Sequence, residues 1–296
     1  MNQKRFLIVT ADDYGMGPEV SRGILDLAAK SAVTAAVLLV NSPYAAGALQ
    51  MWKQRGALLE MGWHPCLTLD APILPPQEVS SLVGSGGRFL SLAQFIRNLF
   101  LGRIRLPEVE AELRAQYHQF CEWVGHPPTH VCAHHHFNIF PLLNKALMKV
   151  LANDQPKPYV RRVIESWQTL VHIPGARLKR LGLSMFSLFS VSELNRCGIP
   201  GNQWLIGVRD AASVSDPSFL LRWLKVVPGR VVELTCHPGY FDKSLIGRDC
   251  SANDGWLKSR VQELNLLSEP RFLEMCHEQG FELVSHAQFL SQWPLR

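Results

Sequence analysis

The sequence predicts an α/β fold in which parallel strands, each followed by a helix, close fully or partly into a TIM-barrel-like barrel. Three observations lead there. Short apolar runs rich in Val, Ile and Thr alternate with helix-periodic segments. About eight such runs occur, the number a (β/α) barrel uses. Polar residues capable of chemistry follow one run after another, as they do where strand ends converge on one face.

The first run is FLIVTA (6–11), a buried strand by its β-branched content. Gly15, Gly17 and Pro18 make a loop into a helix through Ile24, Leu25 and Leu27, with Pro18 in the first turn, where its missing N–H costs nothing. AAVLLV (35–40) and, after another helix, LLEMGW (58–63) are the next strands. Residues 107–124 form a helix opened by Pro107 and three glutamates, favourable charges at a helix N-terminus. Then follow THVCA (129–133), a helix over 141–152, YVRRVI (159–164), WLIGV (204–208) and a helix near 217–226. VVELTC (231–236), helices near 256–279 and FELVS (281–285) complete the series. Irregular composition near 70–106 and 166–202 reads as two insertions into a single domain spanning 1–296.

Composition narrows the function classes. With 47% apolar and 19% charged residues the chain is not built like a disordered one. A net charge of +5 without lysine-rich stripes gives no nucleic-acid footprint. Seven scattered cysteines without a CxxC pair suit a reducing compartment. The opening MNQKRFLIVTADD lacks a signal peptide's apolar core, and no apolar run is long enough to span a bilayer, so the expected location is cytoplasmic.

The candidates for chemistry sit at the strand ends. Asp12 and Asp13 follow the first strand, His64 the third and the triplet His134, His135 and His136 the fourth; Arg161 lies in the fifth, and His237 follows VVELTC. Each has a plainer use. An Asp before a helix caps it, a lone His is satisfied by backbone in a core, a His-Pro-Gly turn needs no chemistry, and an Arg pairs with an acid. Two adjacent carboxylates, however, repel unless a cation or proton compensates. Asp13, His64 and His134 make a two-His-one-carboxylate set suited to Zn, Fe, Mn, Co or a hydrated Mg. If the triplet is extended, His134 and His136 face one way and His135 the other. His237 is placed to protonate a leaving group.

Four motifs in this order, ADDYG (11–15), GWHPCLTL (62–69), PTHVCAHHHFNIFP (128–141) and ELTCHPGY (233–240), resemble the YdjC-like family of carbohydrate deacetylases, which includes the chitooligosaccharide deacetylases. The stretch ILPPQEVSSLVGSGGRFLS (73–91) is similar to a branch associated with hopanoid biosynthesis. The resemblance implies a distorted (β/α) barrel holding one divalent ion, Mg or Zn, on Asp13, His64 and His134. It implies Asp12 as base, His237 as acid and an N-acetylated amino sugar as substrate, either a soluble chitooligosaccharide or an N-acetylglucosaminyl hopanoid, with a homodimer as the assembly. Arg161, His136 and Tyr14 are the candidates for substrate contact. Two departures stand out: Cys132-Ala133 where the family often has Asp-Ser, and Tyr14 for Phe. The first takes away an Asp that could orient a ligand, so support must come from elsewhere.

Two basic, apolar stretches, SLAQFIRNLFLGRIRL (91–106) and WQTLVHIPGARLKRLGLSMFSLF (167–189), fit either peripheral contact with an anionic membrane or helices packed over the barrel with basic outer faces. Competing readings of the site are hydrolysis of a phosphate ester, which favours a second metal, and a sugar- or metal-binding barrel without turnover.

Overall fold

The structure, a computed structural model, describes residues 4–292. Eight strands occupy one sheet: β1 (Arg5–Tyr14), β2 (Ala35–Leu38), β3 (Glu60–Trp63), β4 (His130–Val131), β5 (Tyr159–Val160), β6 (Trp204–Ile206), β7 (Val231–Cys236) and β8 (Phe281–Leu283). All pair in parallel, in the order β5-β4-β3-β2-β1-β7-β6. β8 pairs with the first half of β1, at Arg5–Leu7, while β2 takes the second half from Thr10 onward. The two sheet edges approach without a ladder, through Val160 N–H to Pro200 O (2.9 Å) and Leu205 N–H to Ile164 O (2.8 Å). The expected barrel is therefore present in distorted form.

Alternation along β1 explains the interior. Leu7, Val9 and Ala11 join the large apolar layer beneath the helices, while Ile8 packs inside with Tyr159, Val231, Val284 and Phe289. Thr10 and Asp12 share the Ile8 face, and Glu233 and Thr235 reach them from β7. Gly62 in β3 is required by close approach, because a Cβ there would lie 2.3 Å from the His130 ring.

The helices are α1 (Pro18–Ala29), α2 (Ala45–Gln54), α3 (Leu92–Phe100), α4 (Leu106–Val124), α5 (Pro141–Val150), α6 (Trp167–His172), α7 (Arg177–Arg196), α8 (Phe219–Val226), α9 (Trp256–Ser268), α10 (Pro270–Glu278) and α11 (His286–Gln292). Gly17 cannot cap α1, and Asp242 does so from far along the chain, accepting from the N–H groups of Glu19 (2.8 Å) and Val20 (3.4 Å). The glutamates of α4 do more than favour its N-terminus. Buried Glu112 accepts from Ile73 and Leu74 N–H, and Glu108 from Ser81, which fastens the first insertion to the barrel.

One expectation is corrected here. YVRRVI leaves the ladder after Val160, because the Asn202 side chain takes both backbone groups of Arg162: its Oδ1 accepts from Arg162 N and its Nδ2 donates to Arg162 O, each at 2.8 Å. The second insertion, expected as loops and helices, is mostly helical, with α7 running twenty residues. No helix among the described residues is long and apolar enough to cross a membrane.

Candidate metal centre and active site

Asp12 and Asp13 close β1, where alternation sends neighbouring side chains to opposite faces. Here the register with β2 shifts between Ala11 and Tyr14, and Asp13 takes a left-handed conformation at φ 66°. This irregularity re-aims Asp13 toward the histidines while Asp12 keeps to the barrel interior. Strained backbone of this kind concentrates at functional sites, and His135 and His136 share it at φ 52° and 55°.

Asp13 Oδ1 lies 3.3 Å from His64 Nε2 and 3.3 Å from His134 Nδ1, and those two nitrogens are 3.3 Å apart. All three residues are buried. His64 Nδ1–H donates to the Cys132 carbonyl, which fixes the tautomer and leaves Nε2 free as a ligand. The backbone of Cys132 thus supplies the orientation that an Asp could have given. His134 is held by its N–H to Pro65 O (3.0 Å) and by the His135 ring over its own at 4.0 Å.

The donor set fits a divalent cation. One carboxylate oxygen and two imidazole nitrogens, each 3.3 Å from the other two, are a donor set that divalent cations take. Arg260 partly neutralises Asp13 across 2.6 Å and also reaches Asp249 at 3.3 Å. Burial works against the Asp13 charge, but Arg260, His134 and His64 outweigh it and hold the carboxyl well below its ordinary range. Burial likewise opposes a charged His134, yet contact with Asp13 raises its pKa.

Asp12 stands beside this set with different partners. Both its oxygens face Arg161, at 2.5 and 2.8 Å, and Thr235 Oγ1 donates to Oδ2 at 3.1 Å. Burial again opposes the charge, and Arg161 overcomes it, leaving Asp12 ionised. Arg161 also donates to Glu233 (2.7 Å), which accepts from Tyr159 and Thr10. His237 Nε2 lies 3.8 Å from Asp12 Oδ2, its ring half-exposed, and its backbone N–H donates to Glu263 at 2.7 Å. Burial lowers the His237 pKa despite the nearby carboxylates.

The structure brings together Asp12, Asp13, His64, His134 and His237. It does not give Arg161 to substrate: the guanidinium is buried and engaged by two carboxylates. Nor does it give Tyr14, whose ring is buried under α2 with its hydroxyl donating to Ala48 O at 2.7 Å. The alternation expected of the histidine triplet fails because the chain turns at 134–139 instead of extending. His135 is exposed and meets Thr68, while His136 is half-buried, its pKa pushed down to about 3 by burial and the Arg161 cation. Sequence reasoning missed Arg260 and Glu263. They share the buried face of α9 with Leu257, Leu264 and Leu267, and that spacing is the signal that could have found them.

A sequence profile of YdjC-like proteins matches residues 6–278. A carbohydrate deacetylase of Danio rerio is 27% identical, with 96% of this chain and 98% of the relative covered. A chitooligosaccharide deacetylase of Yersinia enterocolitica is 25% identical over 96% and 99%, and a carbohydrate deacetylase of Enterococcus faecalis 28% over 97% and 98%. A crystal structure from Enterococcus faecalis V583, whose name provisionally assigns it to cellobiose-phosphate cleavage, has the same fold. It superposes with a TM-score of 0.76 at 24% identity, covering 97% of this chain and 99% of its own.

Proposed function

The chain belongs to the YdjC-like protein family, and from that premise we propose that it is a metal-dependent hydrolase removing the acetyl group from an N-acetylated amino sugar. The observation that carries the reading is a triangle of three ligand atoms beside a carboxylate outside it. Asp13, His64 and His134 would hold a divalent ion, which would supply Lewis acidity for the acetyl carbonyl and for water.

The reaction is amide hydrolysis. Water adds its oxygen to the acetyl carbon and gives a proton to Asp12. Arg161 makes Asp12 a weak base, so the proton does not rest there. His237, 3.8 Å away and kept neutral near pH 7 by burial, takes it up. The amine nitrogen receives the proton from His237 as the carbon–nitrogen bond breaks, which releases the free amine and acetic acid; the acid then ionises to acetate in water. His136, half-buried in the turn that follows His134, is the candidate for substrate contact.

The finer proposal is a sugar carried on a lipid, an N-acetylglucosaminyl hopanoid in the branch that residues 73–91 resemble, acted on at the cytoplasmic face of a membrane; a soluble chitooligosaccharide is the alternative. Acetate release from N-acetylglucosamine conjugates, with and without chelator, tests the function. Release that chelator abolishes and zinc restores supports it. Phosphate release from sugar phosphates without acetate favours the phosphate-ester reading, and metal binding with neither product favours a barrel without turnover.

A further inference from the structure

Helix α7 is amphipathic the wrong way round for a helix packed on a protein core. Its inward side carries Ser184, Ser187 and Ser190, and Leu178, Met185 and Phe189 point outward, with Leu178 87% and Phe189 72% exposed. The serines dock it through polar contacts: Ser184 Oγ accepts from Glu165 N–H (3.1 Å), and Ser190 Oγ donates to Ile139 O (3.0 Å). A surface helix ordinarily buries its large apolar side chains, so this one presents them to something outside the domain.

The apolar surface does not end with α7. Phe186 packs on Phe140 at 5.8 Å between ring centres and Phe140 on Phe100 at 6.0 Å, which joins α7 to the exposed end of α3. Its charge has one sign. Arg97, Arg103, Lys179 and Arg196 are exposed, and among the described residues none forms an ion pair. Residues 92–105 contain no acid, and 166–202 contain only Glu193, which is half-buried and accepts from the Asn144 amide.

From this combination we infer that the α3–α7 face docks on an anionic lipid bilayer. Apolar side chains that enter the interface and unbalanced basic residues around them are what such a surface recruits. A second copy of the chain fits less well, because it would bring the same positive charge against itself. On its inward side α7 is hydrogen-bonded to Ile139, at the end of the 134–139 turn that carries His134 and His136. The inference stands whatever reaction the site performs.

Co-sedimentation of the full chain with vesicles tests it. The protein binds vesicles of phosphatidylcholine mixed with phosphatidylglycerol, and binds those of phosphatidylcholine alone at least about tenfold more weakly, with the difference shrinking as salt rises. Met185→Glu with Phe189→Glu abolishes sedimentation while circular dichroism and metal content stay unchanged. Absence of binding to the anionic vesicles at low salt overturns the inference. So does a dimer in solution that the double variant splits without any vesicle binding, since the face would then join two copies.

Discussion

Arg161 grips Asp12 through both terminal nitrogens, Nη1 to Oδ2 at 2.5 Å and Nη2 to Oδ1 at 2.8 Å, while its Nε reaches Glu233 at 2.7 Å. One buried cation therefore serves two buried carboxylates and holds Asp12 beside the Asp13–His64–His134 group. Arg161→Met leaves both acids buried and unpaired, and should cost about 3–5 kcal/mol in urea unfolding. Arg161→Lys keeps the charge, loses the planar fork and should fall between. A change under about 1 kcal/mol in the Met variant would show that the network adds little.

Stability should fall in acid. Asp12 and Asp13 are held below their ordinary carboxyl range by Arg161 and Arg260, and Glu60 by His130. A depressed folded-state pKa stabilises above the unfolded value, about 3.9 for Asp, and the benefit disappears as pH falls below it. Urea midpoints should therefore be flat from neutrality to about pH 5 and drop steeply beneath about pH 4. A protein equally stable at pH 3 and pH 7 would contradict these pairings.

The activity profile carries a separate signature. His237 must be neutral to take up the proton, and burial keeps it neutral below its ordinary pKa of about 6.5. The acid limb of kcat/KM should thus lie below pH 6.5, and His237→Gln should remove that limb along with most of the turnover. A limb at or above pH 6.5, or one surviving in the variant, would assign it to another group.

Away from the site, Asp242→Ala removes the cap of α1 and should cost about 0.5–2 kcal/mol by urea denaturation, without loss of metal. Unchanged stability would mean that water replaces the carboxylate at no cost.

Strand-end position made much of this legible beforehand. Asp13, His64 and His134 each follow an apolar run, and parallel strands bring such ends together. What escaped was conformation and pairing. Nothing in ADDYG announces that Asp13 turns left-handed, and HHHFN reads as an extended tail to a strand, not a tight turn. The partners of Arg161 lie 149 and 72 residues away, a separation that local pattern does not encode. Arg260 resembles a solvated helix residue until its neighbours on the buried face are counted. The inverted polarity of α7 shows only once Ser184, Ser187 and Ser190 are seen to be the inward side.

Metal content per chain, determined alongside turnover for the wild type, Asp12→Asn, His64→Ala and His134→Ala, bears most directly on the proposed centre. One ion in the wild type, an ion retained but turnover lost in Asp12→Asn, and the ion lost in both histidine variants is the expected pattern. Near-normal turnover in Asp12→Asn, or full metal content in either histidine variant, would contradict it.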